Sequence, residues 1–298
     1  MRWYGAPGSA YTGHNSYPGG LAIHEAFNEV SSQNLAAGYR KVYGTSGNDG
    51  IPFAAPADSG ELSDIFISSD LMTAAPIWHD WAKPIVCQWN ADGSEFAEYA
   101  FGGNGTTDVF GAAGDTSRTG AHHIITIAEM MKRGLPVDLV ITMASAHNTP
   151  TNGGEFKLVN WLRAAAILAQ IDPVEGGFLY KDSAGRMRLP QLRSLGTVDL
   201  IAGAASLSHV NVLTEYVLHN ISDSDFTLTG PAITEMNLVL TQAASQFGFN
   251  PTDTSNYQNK FRNRVLSYLS AERLLIIYGN SGLDGVVAEI TKIKSRLN

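Results

Sequence analysis

Ala74-Ala75-Pro76-Ile77-Trp78-His79-Asp80-Trp81-Ala82-Lys83-Pro84 is the stretch that decides how the rest of the chain is read. An apolar run ends in an adjacent His-Asp pair, with Lys83 about one helical turn further on. Imidazole nitrogen and carboxylate oxygen are the common ligands of borderline divalent metal ions. An ionisable pair at the end of an apolar helix is costly to bury without a partner, and a metal would be one. Lys83 is placed to hold an anionic oxygen beside such a metal. The alternative for Asp80 is an ion pair with Lys83, which leaves His79 unexplained.

Outward from this stretch the chain reads as mainly helical. Residues 1–20 form a Gly-, Pro- and Tyr-rich lead-in, and an apolar stripe starts a helix near Gly20. Residues 44–61 and 101–118 read as loops, and Leu62–Lys83 as one helix, kinked or restarted at Pro76 and stopped by Pro84. Further helices are expected at 119–133, 137–146, 155–171, 197–220, 230–247, 255–277 and 283–297. Two short β-hairpins are expected, one turning at Asn90–Gly93 and one at Asp182–Gly185.

Charge and composition narrow the function. With 20 Lys plus Arg against 28 Asp plus Glu, the net charge of −8 argues against bulk nucleic-acid or anionic-membrane binding. A small phosphorylated substrate, a nucleotide included, stays compatible, because a metal reverses the local field. The lone Cys87 excludes an internal disulfide and a thiolate zinc site. No apolar run approaches the ~20 residues needed to span a bilayer, and no signal peptide is visible. The default is therefore a cytoplasmic protein, with a mature exported form as the alternative, and a homo-oligomer is compatible with either.

Six of the eight histidines fall in the first half of the chain: His14, His24, His79, His122, His123 and His147. His122 and His123 are neighbours in a helix and point about 100° apart, so at most one is expected to ligate. His147 follows an apolar helix, where a histidine often pairs with the C-terminal dipole. Asp172 ends the run Leu162–Ile171, where the same dipole disfavours an acid and a compensating cation is expected. His209 and His219 lack matching partners and read as structural.

Taken together, these residues resemble the HD-domain superfamily of metal-dependent phosphohydrolases. Tyr17-Pro18-Gly19-Gly20-Leu21-Ala22-Ile23-His24 is similar to that family's first element, and Ile77-Trp78-His79-Asp80-Trp81-Ala82-Lys83 to its second. Gly120-Ala121-His122-His123 and His147 are similar to the additional histidines of binuclear members, and Ala164–Asp172 to the helix ending in the last aspartate, with Asp199 a rival. The resemblance spans residues 14–175. Pro76, Trp81 and the loops at 44–61 and 101–118 depart from it, and the Gly-Tyr-Pro element of the cyclic-dinucleotide phosphodiesterase subgroup is absent.

The resemblance implies an HD-type helical bundle with a catalytic core at 1–175 and a helical extension at 176–298. It implies a metal set of His24, His79, Asp80, His123, His147 and Asp172, with Asp80 shared between two ions. The ions would be one or two of Mn, Fe, Co, Ni or Zn. Asp80, Lys83 and His122 would be catalytic, Lys83 neutralising phosphoryl charge and His122 protonating the leaving oxygen. The implied activity is hydrolysis of a phosphomonoester, phosphodiester or nucleotide. Two alternatives remain open: an HD-type di-iron oxygenase, and a non-catalytic sensor or adaptor whose metal is structural.

Overall fold

A computed structural model of the chain describes residues 1–9, 13–43, 66–94, 98, 100–101, 117–151, 154–193, 197–199 and 211–297. His209, the loop expected at 44–61 and residues 102–116 of the loop expected at 101–118 lie outside the described residues. The protein is mainly helical. No helix among the described residues is long and apolar enough to cross a membrane.

The chain divides into two compact units that are discontinuous in sequence. One comprises Met1–Glu25, Ala82–Glu98 and Ser224–Asn298, the other Ala26–Trp81 and Tyr99–Asp223. This differs from the expected division after residue 175: the N-terminal lead-in bonds not only to the start of the next helix, through the Leu21 amide and the Ala6 carbonyl, but also to residues near the C-terminus.

In the first unit, Trp89 Nε1 donates to the Gly5 carbonyl at 2.8 Å and Arg262 Nη2 to the Ser16 carbonyl at 3.1 Å. The core of this unit comes from α8 (Phe226–Ala243), α10 (Asn263–Leu269) and α11 (Ala271–Lys292). Ile233, Met236, Leu240, Phe261, Leu266, Leu274, Val286 and Ile290 are buried together, each contributing about 1.5–3 kcal/mol by leaving water. Between them run the short α9 (Thr254–Asn256) and a π-helical turn, Tyr257–Arg262. The helix expected at 255–277 is therefore broken, chiefly at Ser270, whose hydroxyl caps α11 through the Arg273 amide. The expected turn before residue 283 survives as a kink at Gly282, whose φ of 60° and ψ of −159° suit glycine.

The second unit is built from α1 (Gly20–Tyr43, of which residues 26–43 belong here), α2 (Ser69–Trp78), α4 (Ala121–Lys132), α5 (Val137–Ala144), α6 (Glu155–Ala169) and α7 (Thr214–Asp223). α4 packs along α6 and α5, while α2 and α5 both pack on α7. Ile124, Ile127, Val140, Ile141, Leu158, Trp161, Leu162 and Tyr216 form its buried core.

α2 begins at Ser68, whose hydroxyl accepts from the Leu71 amide at 3.3 Å. It starts later than the helix expected from Leu62 and stops at Trp78. Pro84, expected to end it, instead opens the short α3 (Lys83–Val86) in the first unit, where a missing N–H costs nothing. Pro76 lies inside α2 and cannot donate to the Met72 carbonyl four residues back. Ser32 Oγ of α1 donates to that carbonyl instead, so the helix continues to His79 without an orphaned acceptor.

Among the described residues there are three two-stranded antiparallel ribbons: β1 (Ala100–Phe101) with β2 (Thr119–Gly120), β3 (Tyr180–Lys181) with β4 (Met187–Arg188), and β5 (Thr197–Asp199) with β6 (Asn211–Leu213). The hairpin at Asp182–Gly185 is present as β3–β4. Of the other, the turn at Asn90–Ser94 is present, with the Asn90 amide donating to Ser94 O at 2.7 Å, but Ala100–Phe101 pair with Thr119–Gly120. The helix expected at 197–220 is corrected: Thr197–Asp199 pair with Asn211–Leu213, a long-range choice that β-branched Thr197, Val198 and Val212 favour. Asp199 thus lies on a strand, and the helix begins only at Thr214.

Candidate metal centre in the second unit

Helix ends supply the site. His79 caps the C-terminus of α2, and His122 and His123 lie in the first turn of α4. His147 follows the last turn of α5, and Asp223 ends α7 with His219 one turn before it. The helix packing described above brings these ends together.

His79 is the pivot. Its Nδ1 donates to the Pro76 carbonyl at 2.8 Å, which fixes the tautomer and turns Nε2 inward. Nε2 lies 3.0 Å from Asp223 Oδ1 and 3.3 Å from Asp80 Oδ2. Burial disfavours the charged ring, but Asp80 and then Asp223 outweigh it and raise the His79 pKa to about 10. Asp223 also accepts from Asn28 Nδ2 of α1 at 3.1 Å.

Asp80, fully buried, presents its two oxygens to different histidines. Oδ2 faces His79, whereas Oδ1 lies 3.1 Å from His122 Nε2. His122 Nε2 is also 3.4 Å from His147 Nε2, and Thr119 Oγ1 holds the other nitrogen of His147 at 2.9 Å. Asp80, His122 and His147 form one of the groups whose donor atoms converge closely enough to share a metal ion.

The donor separations suit such an ion. Bonds of about 2.0–2.1 Å at tetrahedral angles place neighbouring donors roughly 3.3 Å apart, and the gaps along His79, Asp80, His122 and His147 run from 3.1 to 3.4 Å. Imidazole and carboxylate donors without thiolate favour a first-row divalent ion over calcium.

Two further histidines surround this group. His123 stacks on His147, with centroids 4.1 Å apart, and meets the Trp161 ring edge-on at 4.9 Å. It is buried with no hydrogen-bond partner for either nitrogen among the described residues. Burial, then His147 and His122, hold its pKa well below the usual range. His219 donates from Nδ1 to the Thr142 carbonyl at 2.7 Å and abuts His79 at 5.0 Å. Burial and then His79 push its pKa down to about 4. His147 keeps an exposed edge, and its pKa is lowered by the protein packed round the ring and by His122.

Several expectations change. His122, not His123, faces Asp80, because successive helical residues diverge by about 100° and only one can point at the α2 terminus. Asp172 does not join the group. Gln170 ends α6 in the left-handed region (φ 59°), so Asp172 falls beyond the helix, exposed, and accepts from the Val174 and Glu175 amides at 2.7 and 3.1 Å. The Glu175 amide, then the Val174 amide, lower its pKa, with a smaller contribution from Lys181.

Asp223 and His219, by contrast, do reach the site, although His219 reads as structural from sequence. Their i, i+4 spacing on one helix face was the available signal. Lys83 belongs to the first unit, where it is buried and its Nζ donates to the Gly8 carbonyl. His24 also belongs to the first unit.

Compared with known proteins, the chain matches no family model, no curated protein and no solved structure. The HD-domain resemblance therefore rests on the residues quoted for it.

Proposed function

We propose that this protein is a metal-dependent hydrolase of a phosphate ester, with Asp80 at the centre of its metal site. The observation that carries the reading is the convergence of Asp80, His122 and His147, whose donor atoms lie close enough to share one ion. Two imidazoles and a fully buried carboxylate are a donor set that suits a divalent cation.

His79 and Asp80 would hold one ion, with Asp223 set against the His79 ring. Asp80, through its other oxygen, would hold a second with His122 and His147. Once bound, divalent ions lower the pKa of water to about 7 and polarise a phosphoryl oxygen, which supplies hydrolysis with its nucleophile and charge stabilisation. Pro76 and Thr119 orient the imidazoles of His79 and His147, and such supporting contacts typically affect metal affinity 10- to 100-fold. The exposed edge of His147 leaves one side open to substrate. His122 is assigned to holding an ion rather than to protonating the leaving group. Lys83, engaged by the Gly8 carbonyl, is given no catalytic part.

The test is metal content of the purified chain together with turnover of bis-p-nitrophenyl phosphate and a nucleotide panel. Metal-dependent phosphoester hydrolysis that disappears in Asp80→Asn supports the reading. Tightly bound metal with no turnover on the panel refutes the hydrolase, and O₂ uptake by an iron-loaded protein would replace it with an oxygenase.

A further inference from the structure

The first unit contains a group of donors that plays no part in that reading. His14, His24 and Asp225 bring two imidazole nitrogens and a carboxylate oxygen close enough to share one ion. His24 Nδ1 lies 3.3 Å from Asp225 Oδ1, and the His14 and His24 rings are 4.6 Å apart, tilted by 51° rather than stacked. The Asp225 side chain is only 5% exposed, and its Oδ1 has no hydrogen-bond partner among the described residues. A buried carboxylate oxygen needs a cation or donors.

The loop bearing His14 is built to present one particular nitrogen. Asn15 Nδ2 donates to Glu272 Oε1 at 3.2 Å and lies 3.4 Å from Tyr17 Oη, and Tyr17 itself donates to Glu272 Oε2 at 2.9 Å. These partners fix the Asn15 amide so that its Oδ1 is the atom facing His14 Nδ1, 3.1 Å away. That oxygen can only accept, so His14 carries its proton on Nδ1, which makes Nε2 the nitrogen able to bind a metal. The turn is tightly constrained. Asn15 has a φ of 51°, its carbonyl accepts from Gly8 and Tyr17, and a Cβ at Gly20 would lie 1.8 Å from that carbonyl oxygen. A non-glycine residue held in the left-handed region costs about 1–3 kcal/mol and marks an over-determined loop.

We propose that His14, His24 and Asp225 form a binding site for a first-row divalent cation. The two-imidazole, one-carboxylate set suits Zn²⁺, Fe²⁺, Mn²⁺ or Co²⁺. Three protein ligands leave coordination positions for water or a small anion. The site stands independently of the function proposed for the second unit.

The full chain, stripped with a chelator and titrated with Zn²⁺ and with Co²⁺, provides the test. Bound equivalents are counted after gel filtration, and Co²⁺ absorption reports the ligand field. His14→Gln and Asp225→Asn should each remove one equivalent, or weaken one class of site by at least about tenfold. Asp80→Asn should leave that class intact. Far-UV circular dichroism checks folding; if Asp225→Asn fails to fold, half-buried His14→Gln decides. A folded His14→Gln protein with wild-type stoichiometry and affinities overturns the proposal. So does a wild-type chain whose every bound ion is lost in Asp80→Asn. Loss of the Asp80-dependent ion without any turnover to lose would refute the hydrolase reading while leaving this site standing.

Discussion

The two units use the same donor chemistry but arrive at it differently. In the second, donors sit at the ends of α2, α4, α5 and α7, so tertiary packing assembles them. In the first, His14 sits in a turn held by Asn15, Tyr17 and Glu272, and hydrogen bonds within the turn and to the sequence-distant Glu272 aim it. Helix ends can gather many donors and concentrate charge, whereas a turn gathers few but fixes their tautomer. The second unit should therefore dominate metal-dependent chemistry and pH response, while the first should respond to loop changes.

The most damaging change to this contrast would come from Asp80. Asp80→Asn should lower phosphoester turnover at least about 100-fold and remove metal from the second unit only. Within the same unit His122→Ala should weaken metal binding about 10- to 100-fold, whereas His123→Ala should mainly lower stability, read by thermal melting. If His123→Ala lost the metal and His122→Ala kept it, the assignment of the two neighbours would be reversed.

Next in size is the proton that a metal must displace. With the His79 pKa raised to about 10, metal binding between pH 7 and 9 competes with one imidazolium. Affinity should rise about tenfold per pH unit over that range, measured by chelator competition. A flat profile would show that His79 is not a ligand.

A smaller effect separates the neutral histidines from His79. The folded pKa of His79 is raised, so its contribution to stability is complete below its unfolded value near 6.5 and fades as pH rises toward 10. For His219 the sign is opposite: its pKa of about 4 means stability is present above 6.5 and lost as pH falls through 4. In the metal-free protein, His219→Asn keeps a donor for the Thr142 carbonyl but cannot titrate. It should spare about 2 kcal/mol of the loss between pH 7 and pH 5, read from denaturant midpoints at both pH values. Smallest of all, Asp172→Asn should leave metal content and turnover unchanged, since its carboxylate serves only two turn amides.

The readable parts of the sequence were those whose physics is local. His79-Asp80 at the end of an apolar helix, and the start of α1 near Gly20, follow from spacing and composition alone. Spacing places His122 and His123 on one helix, but the ranking of His123 as the ligand comes from the resemblance alone, and it depends on which face of α4 turns toward Asp80. Asp172 was misleading, since the left-handed Gln170 that turns it to solvent has no sequence mark as clear as a glycine. Asp223 and His219 were hidden for a different reason. Their helix starts at Thr214 because residues 197–199 pair with 211–213, and pairing across such a gap is set by tertiary structure. The reach of Asn15 to Glu272, 257 positions along the chain, was equally out of view.

Pro76 bears on how far the His-Asp motif could travel. Its carbonyl holds His79, while its missing N–H would orphan Met72 but for the hydroxyl of Ser32 on another helix. The stretch from Ala74 to Pro84 is thus not a self-sufficient cassette. Grafted into a different helical scaffold without a serine-like donor opposite the carbonyl four residues before Pro76, it would leave an unpaired acceptor about two turns before the ligand it is meant to deliver.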